Sequence, residues 1–118
     1  MKIKKACLND LSRVREFYYD LIDRTPDMGK YAQWKKDIHP DDTDLERYLN
    51  DDAMYMLVDD GQGAAEKTSC GQQADEKIAG MMAVELMQDE EYHNISWQIE
   101  ASDSEVAELH LLAVSPDY

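Results

Sequence analysis

From Ile78 to Met87 the sequence is apolar at both alternating positions, with Ala79, Gly80, Ala83 and Glu85 as the exceptions. A strand of that kind sits inside a sheet, with neighbours on either side and cover on both faces. The chain must therefore supply more strands and something to pack on them. Met54 to Val58 reads as one such strand, and the Asp59-Asp60-Gly61 turn follows it. Val106 to Val114 reads as another, closed by Ser115 and Pro116. Lys2 to Ala6 reads as a short first strand. Tyr92 to Ile99 alternates in part, through Ile95, Trp97 and Ile99, and is strand-like; Ala101 to Glu105 is a polar turn.

The cover is expected from helices. Asn9 is a good cap, and Leu11, Val14, Tyr18, Leu21 and Ile22 then recur at helical spacing, with Phe17 widening the stripe. Pro26 closes that segment, which predicts a helix from Asp10 to Arg24. Met28, Tyr31, Trp34 and Ile38 suggest a short second helix or helical turn, ended before Pro40. Thr43 to Glu46 matches a capping box, and Leu45, Tyr48 and Leu49 give the helix behind it an apolar side. Residues 61–77 are polar, glycine-bearing and without periodicity, so a mobile loop is expected there. The order β-α-α-β-β-(β)-β predicts an α+β fold, a mainly antiparallel sheet with two or three helices packed on it. At 118 residues the chain is read as a single domain, 1–118.

Charge narrows the partners. The 26 acidic and 12 basic residues give a net charge of −14, a field that repels nucleic acid and anionic membrane surfaces, so neither is expected. Hydrophobic residues at 43% and charged residues at 32% suit a soluble globular chain. Cys7 and Cys70 lack CxxC spacing and make neither a disulfide framework nor a zinc site on their own, which fits a reducing cytoplasm. No apolar run is long enough to span a membrane, and no signal-peptide pattern follows the basic start. His39, Asp41, Asp42 and Asp44 offer metal-ligand atoms, but their spacing matches no known loop, and no metal is expected.

The last stretch, Glu108-Leu109-His110-Leu111-Leu112-Ala113-Val114-Ser115-Pro116-Asp117-Tyr118, resembles the fourth strand and exit of the GCN5-related N-acetyltransferase (GNAT) superfamily. There an apolar strand ends in a pattern like Leu-Ala-Val-x-Pro-x-Tyr, and a glycine-rich turn that grips the pyrophosphate of coenzyme A follows at once. Ile3 to Ala6, the Asn9-Asp10-Leu11 opening, Met54 to Asp60 and Lys77 to Leu86 are similar to earlier elements of that fold, in the same order. The given sequence ends at Tyr118, where the turn would begin. The resemblance thus implies a truncated acyl-CoA N-acyltransferase fold, incomplete or inactive on its own.

The resemblance also implies an activity: transfer of an acetyl group from acetyl-CoA to a primary amine, by direct attack in a ternary complex. The acceptor would be a small-molecule or peptide amine. Backbone groups of Leu112, Ala113 and Val114 would face the pantetheine arm and the acetyl oxygen, with the Val114 N–H as oxyanion donor. Glu108 occupies the position of a catalytic glutamate of some members, and a carboxylate in a partly apolar cleft suits proton transfer near neutrality. His110 is the competing base. Plain alternation puts Glu108, His110, Leu112 and Val114 on one face. Glu85 is either the wall of an amine pocket or one half of an ion pair. The rival to an enzyme is a non-catalytic acidic module that works through self-association or a protein partner. In either case Val106 to Val114, apolar and free of lysine and proline, is expected to pair copies into a homodimer.

Overall fold

The computed structural model describes residues 1–61, 76–87 and 89–118. Four strands form one antiparallel sheet in the order β1-β2-β3-β4: β1 is Lys2–Lys5, β2 Met54–Asp59, β3 Lys77–Glu85 and β4 Glu108–Val114. Among the described residues three α-helices accompany it, α1 Leu11–Arg24, α2 Met28–Tyr31 and α3 Asp42–Asn50. This is the α+β, mainly antiparallel architecture that the order of apolar segments predicts. The core forms where Val14, Tyr18 and Leu21 of α1 and Leu45, Tyr48 and Leu49 of α3 meet Met54, Met56 and Val58 of β2 and Met81 and Ala83 of β3. No described helix is long and apolar enough to cross a membrane.

Where the elements depart from expectation, local hydrogen bonding explains it. A short 3-10 turn over Leu8–Asp10 precedes α1, so the helix starts at Leu11. Asn9 does not cap it; buried Asp10 instead accepts from the Cys7 N–H at 3.0 Å and closes the turn. The capping box of α3 is Asp41 with Asp44, not Thr43 with Glu46. Asp41 Oδ1 accepts from the Asp44 N–H at 2.8 Å, and Asp44 Oδ2 from the Asp41 N–H at 3.2 Å. The pattern occurs twice in this stretch, and the earlier copy gives the longer helix. Beyond α2 the helical spacing to Ile38 is not realised, because Gln33 and Asp37 take left-handed backbone angles that break any helix. Trp34 still reaches the core, edge-on to Tyr18 at 5.5 Å, while Tyr31 and Ile38 are exposed.

The second half departs further. Tyr92 to Ile99 is no strand: a 3-10 turn covers Glu90–Asn94, and Ile95, Trp97 and Ile99 are exposed, with no strand beside them among the described residues. On β3 the helices cover one face, which buries Ala79, Met81 and Ala83. Met82 and Val84 on the other face are half-exposed, so cover on both faces is not found among the described residues. Of the loop expected over 61–77, residues 62–75 lie outside the described residues; Gly61, at φ +64°, completes the expected turn by donating to Asp59 Oδ1. Cys7 is disulfide-bonded, and Cys70 lies outside the described residues.

Candidate active site

The site grows from an irregularity in β4. Its register against β3 runs Glu85↔Glu108, Val84↔Leu109 and Ala83↔His110, then resumes at Met81↔Ala113 and Gly80↔Val114. One step on β3 is thus matched by an extra residue on β4, a β-bulge. Leu111 sits in the bulge with φ 54°, the left-handed region that a leucine seldom occupies. Its carbonyl accepts from the Tyr18 hydroxyl at 2.7 Å, which ties the bulge to α1. Tyr18 is fully buried, and burial, with a smaller push from Tyr48, holds its phenol above the ordinary value, so it stays a neutral donor.

The bulge corrects the expected alternation. Glu108 and His110 share the helix-side face with buried Leu111 and Ala113, whereas Leu112 and Val114 turn their side chains, 64% and 61% exposed, to the other face with Leu109. The backbone responds too. The Ser115 N–H donates to the Ala79 carbonyl at 2.8 Å, so Ser115, and with it Ala113 two residues earlier, faces β3. Val114 lies between them at a non-bonded pair position, and its N–H and C=O point away from β3. Among the described residues β4 is the sheet edge, so those groups face its open side. Gly80 opposite allows the close approach: a Cβ there would stand 3.1 Å from the Ala113 carbonyl oxygen.

At the other end of β4, pairing brings three titratable groups together. His110 Nε2 lies 3.2 Å from Glu108 Oε2 and 3.6 Å from Glu85 Oε2. Each carboxylate has its second oxygen held from outside the trio. Arg47 Nη1 donates to Glu85 Oε1 at 2.6 Å, and the Asp89 N–H donates to Glu108 Oε1 at 2.7 Å. Both glutamate side chains are nearly buried, and His110 is about a third exposed, with its ring 5.8 Å from that of Tyr48. Burial raises the Tyr48 phenol above its ordinary value, against a lowering by Arg47. Arg47 in turn stacks over the Tyr48 ring at 4.2 Å.

Of the two carboxylates only Glu85 pairs with a guanidinium, that of Arg47, which leaves the charge of Glu108 in excess while His110 is neutral. A proton on His110 or a ligand cation balances it. The trio also places one ligand atom from each residue within 4.8 Å of the others, close enough for a metal ion. Arg47 already brings a cation to this set, which favours proton transfer or ammonium binding over a second, divalent charge.

Of the residues singled out in the sequence, Glu108 and His110 are brought together, and Glu85 joins them as an ion-pair partner of Arg47. Leu112, Ala113 and Val114 follow at the bulge. Arg47, Tyr48 and Tyr18 were not anticipated, since helix spacing marks Tyr48 and Tyr18 only as core residues and Arg47 only as a solvated charge.

No family model matches the chain, and no curated protein matches it. Among solved structures it is similar to the crystal structure of a candidate acetyltransferase from Staphylococcus aureus MU50, with a TM-score of 0.61 and 19% identity. The alignment covers all of this chain and 61% of that one, so the chain spans less than two thirds of the structure it matches. At that identity the likeness establishes a shared fold.

Proposed function

We propose that this chain forms the acceptor side and part of the carbonyl-binding strand of an acetyl-CoA-dependent N-acetyltransferase. The β4 bulge carries the reading: it turns Glu108 and His110 to the helix side while leaving the Val114 N–H on an open edge. The fold shared with the Staphylococcus aureus structure supports it. Acetyl-CoA fits the outward-facing groups of Val114 and the exposed surface of Leu112, beside which a pantetheine arm finds backbone partners. When bound it would supply an acetyl thioester; transfer to an ammonium forms the C–N bond of an amide, breaks the C–S bond, and removes two protons from nitrogen, one to the trio and one to the leaving thiolate.

Within this chain, Glu108 and Glu85 hold the incoming ammonium, and the trio takes its proton through Glu108 or His110. The Arg47 and Asp89 bonds fix the carboxylates, so that their other oxygens stay turned to His110, with which that proton is exchanged. The Val114 N–H donates to the oxygen on which negative charge develops. To test this, the protein that carries the chain is supplied with acetyl-CoA and a panel of primary amines while thiol release is followed. Amine-dependent release is expected; no release above hydrolysis with any amine contradicts the proposal.

One observation favours the rival, a module that self-associates. Leu109, Leu112 and Val114 put apolar side chains, 59% to 64% exposed, on the edge strand of the sheet. If two copies meet there, sedimentation equilibrium at micromolar concentration returns a dimer that Leu112→Lys weakens. A monomer under those conditions removes this reading.

A further inference from the structure

The sequence between β3 and β4 spends its apolar side chains on no core, yet they are not scattered. Trp97, Ile99, Ala101, Val106 and Ala107, with Gln98, line an open groove of about 500 Å³. A smaller cavity of about 120 Å³ shares Trp97, Val106 and Ala107 with it, adds Tyr92, and ends at Glu108. The Trp97 ring is held in place, because its Nε1 donates to the Tyr92 carbonyl at 3.1 Å and the two rings lie 6.3 Å apart. An apolar, aromatic wall therefore reaches Glu108, a member of the Glu85–Glu108–His110 trio.

We infer that the acceptor is a primary amine carried on an apolar body of aromatic size, an aralkylamine. Its ammonium sits between Glu108 and Glu85, and its ring lies along Trp97 and Val106. This rests on the reading of the trio as the acceptor site. The groove decides what net charge could not. A polyamine or an aminoglycoside needs polar partners along its length, and this wall offers few: Gln98 and the Tyr92 hydroxyl beside Trp97, Ile99, Val106 and two alanines. An aralkylamine meets each part with its own kind: the ring removes apolar surface from water, and the ammonium neutralises the excess negative charge through charge-assisted hydrogen bonds. The volume falls within the roughly 300–1,000 Å³ usual for small-ligand sites.

The test needs no acetyl-CoA. The chain is titrated with 2-phenylethylamine, 2-phenylethanol and 1,4-diaminobutane while the tryptophan indole and histidine ring resonances are followed. The amine with the ring should bind roughly tenfold or more tightly than either the alcohol, which lacks the charge, or the diamine, which lacks the ring. It should move the signals of Trp97 and His110 and leave that of Trp34 in place. Trp97→Ala, at a side chain 56% exposed, should weaken binding about tenfold with an unchanged backbone spectrum. Equal binding of alcohol and amine, tightest binding of the diamine, or saturation that leaves Trp97 unmoved each overturn the inference, as does no binding at all. Binding without acetyl transfer overturns the transferase reading and leaves the amine site standing. Transfer to diamines alone does the reverse.

Discussion

Two charged clusters sit at different places on the sheet, and they differ in balance as much as in burial. In one, Glu76, wholly buried, takes Lys4 Nζ at 2.9 Å and Arg13 Nη1 at 3.3 Å, and Arg13 also lies 3.5 Å from Asp10. Two cations face two carboxylates, and water is nearly excluded. In the other, Glu85 and Glu108 share the His110 imidazole, and Glu85 alone pairs with Arg47, which is half-exposed. A closed, neutral network leaves no charge for a ligand to satisfy. An open one with negative charge to spare does. On that balance the first is assigned to folding and the second to the proposed acceptor site.

The largest expected effect tests that division. Glu76→Gln leaves Lys4 buried beside an amide, and should cost about 3 kcal/mol of stability in denaturant unfolding, the scale of breaking a buried pair. Glu85→Gln frees a half-exposed Arg47 and should cost under about 1 kcal/mol. Equal losses would erase the distinction. Next comes the link between core and site. Tyr18→Phe removes the donor to the Leu111 carbonyl and should cost about 1–2 kcal/mol, the range for a buried group left unsatisfied. It should also lower acetyl transfer, because the bulge positions His110. Unchanged stability would mean that β4 holds its bulge without α1.

The smallest effect lies at the start of α3, the helix that carries Arg47. Asp41→Ala should cost about 1 kcal/mol as the true cap of α3, and Thr43→Ala should stay within about 0.5 kcal/mol. Burial works against the Asp44 carboxyl, but the Asp41 N–H and His39 hold it below its ordinary value. A depressed folded value means stability that is complete above the unfolded carboxylate range and is lost as pH falls through the folded one. The cost of Asp44→Ala should accordingly fade below about pH 4. A cost that persists there would show that the bonds of Asp44 are not what stabilises the cap.

Much of the fold was legible because burial on one face leaves a periodic trace. Val14, Tyr18 and Leu21, or Met54, Met56 and Val58, announce both element and orientation. The connection from Leu86 to Ala107 misleads for the same reason. Ile95, Trp97 and Ile99 alternate like a strand, but Trp97 and Ile99 line a groove and Ile95 is exposed, and periodicity cannot tell a core from a groove wall. The two tryptophans show it: Trp34 packs on Tyr18, Trp97 borders the groove, and nothing local to either marks the difference. Glu108 and His110 were visible as candidates, yet their face was misplaced for Leu112 and Val114. A single bulge residue shifts every side chain beyond it, and Leu111 is of a type that gives no warning of a left-handed angle.

The most direct measurement compares acetyl transfer by the unaltered protein, Glu108→Gln and His110→Gln across pH. If the trio takes the proton of the amine, Glu108→Gln should lower kcat/KM by roughly 10²-fold near neutrality, the scale of losing a general base. His110→Gln should fall in the same direction, and both losses should shrink at alkaline pH, where the amine is already neutral. Variants that transfer acetyl groups as fast as the unaltered protein at every pH would contradict the account and remove the trio from the reaction.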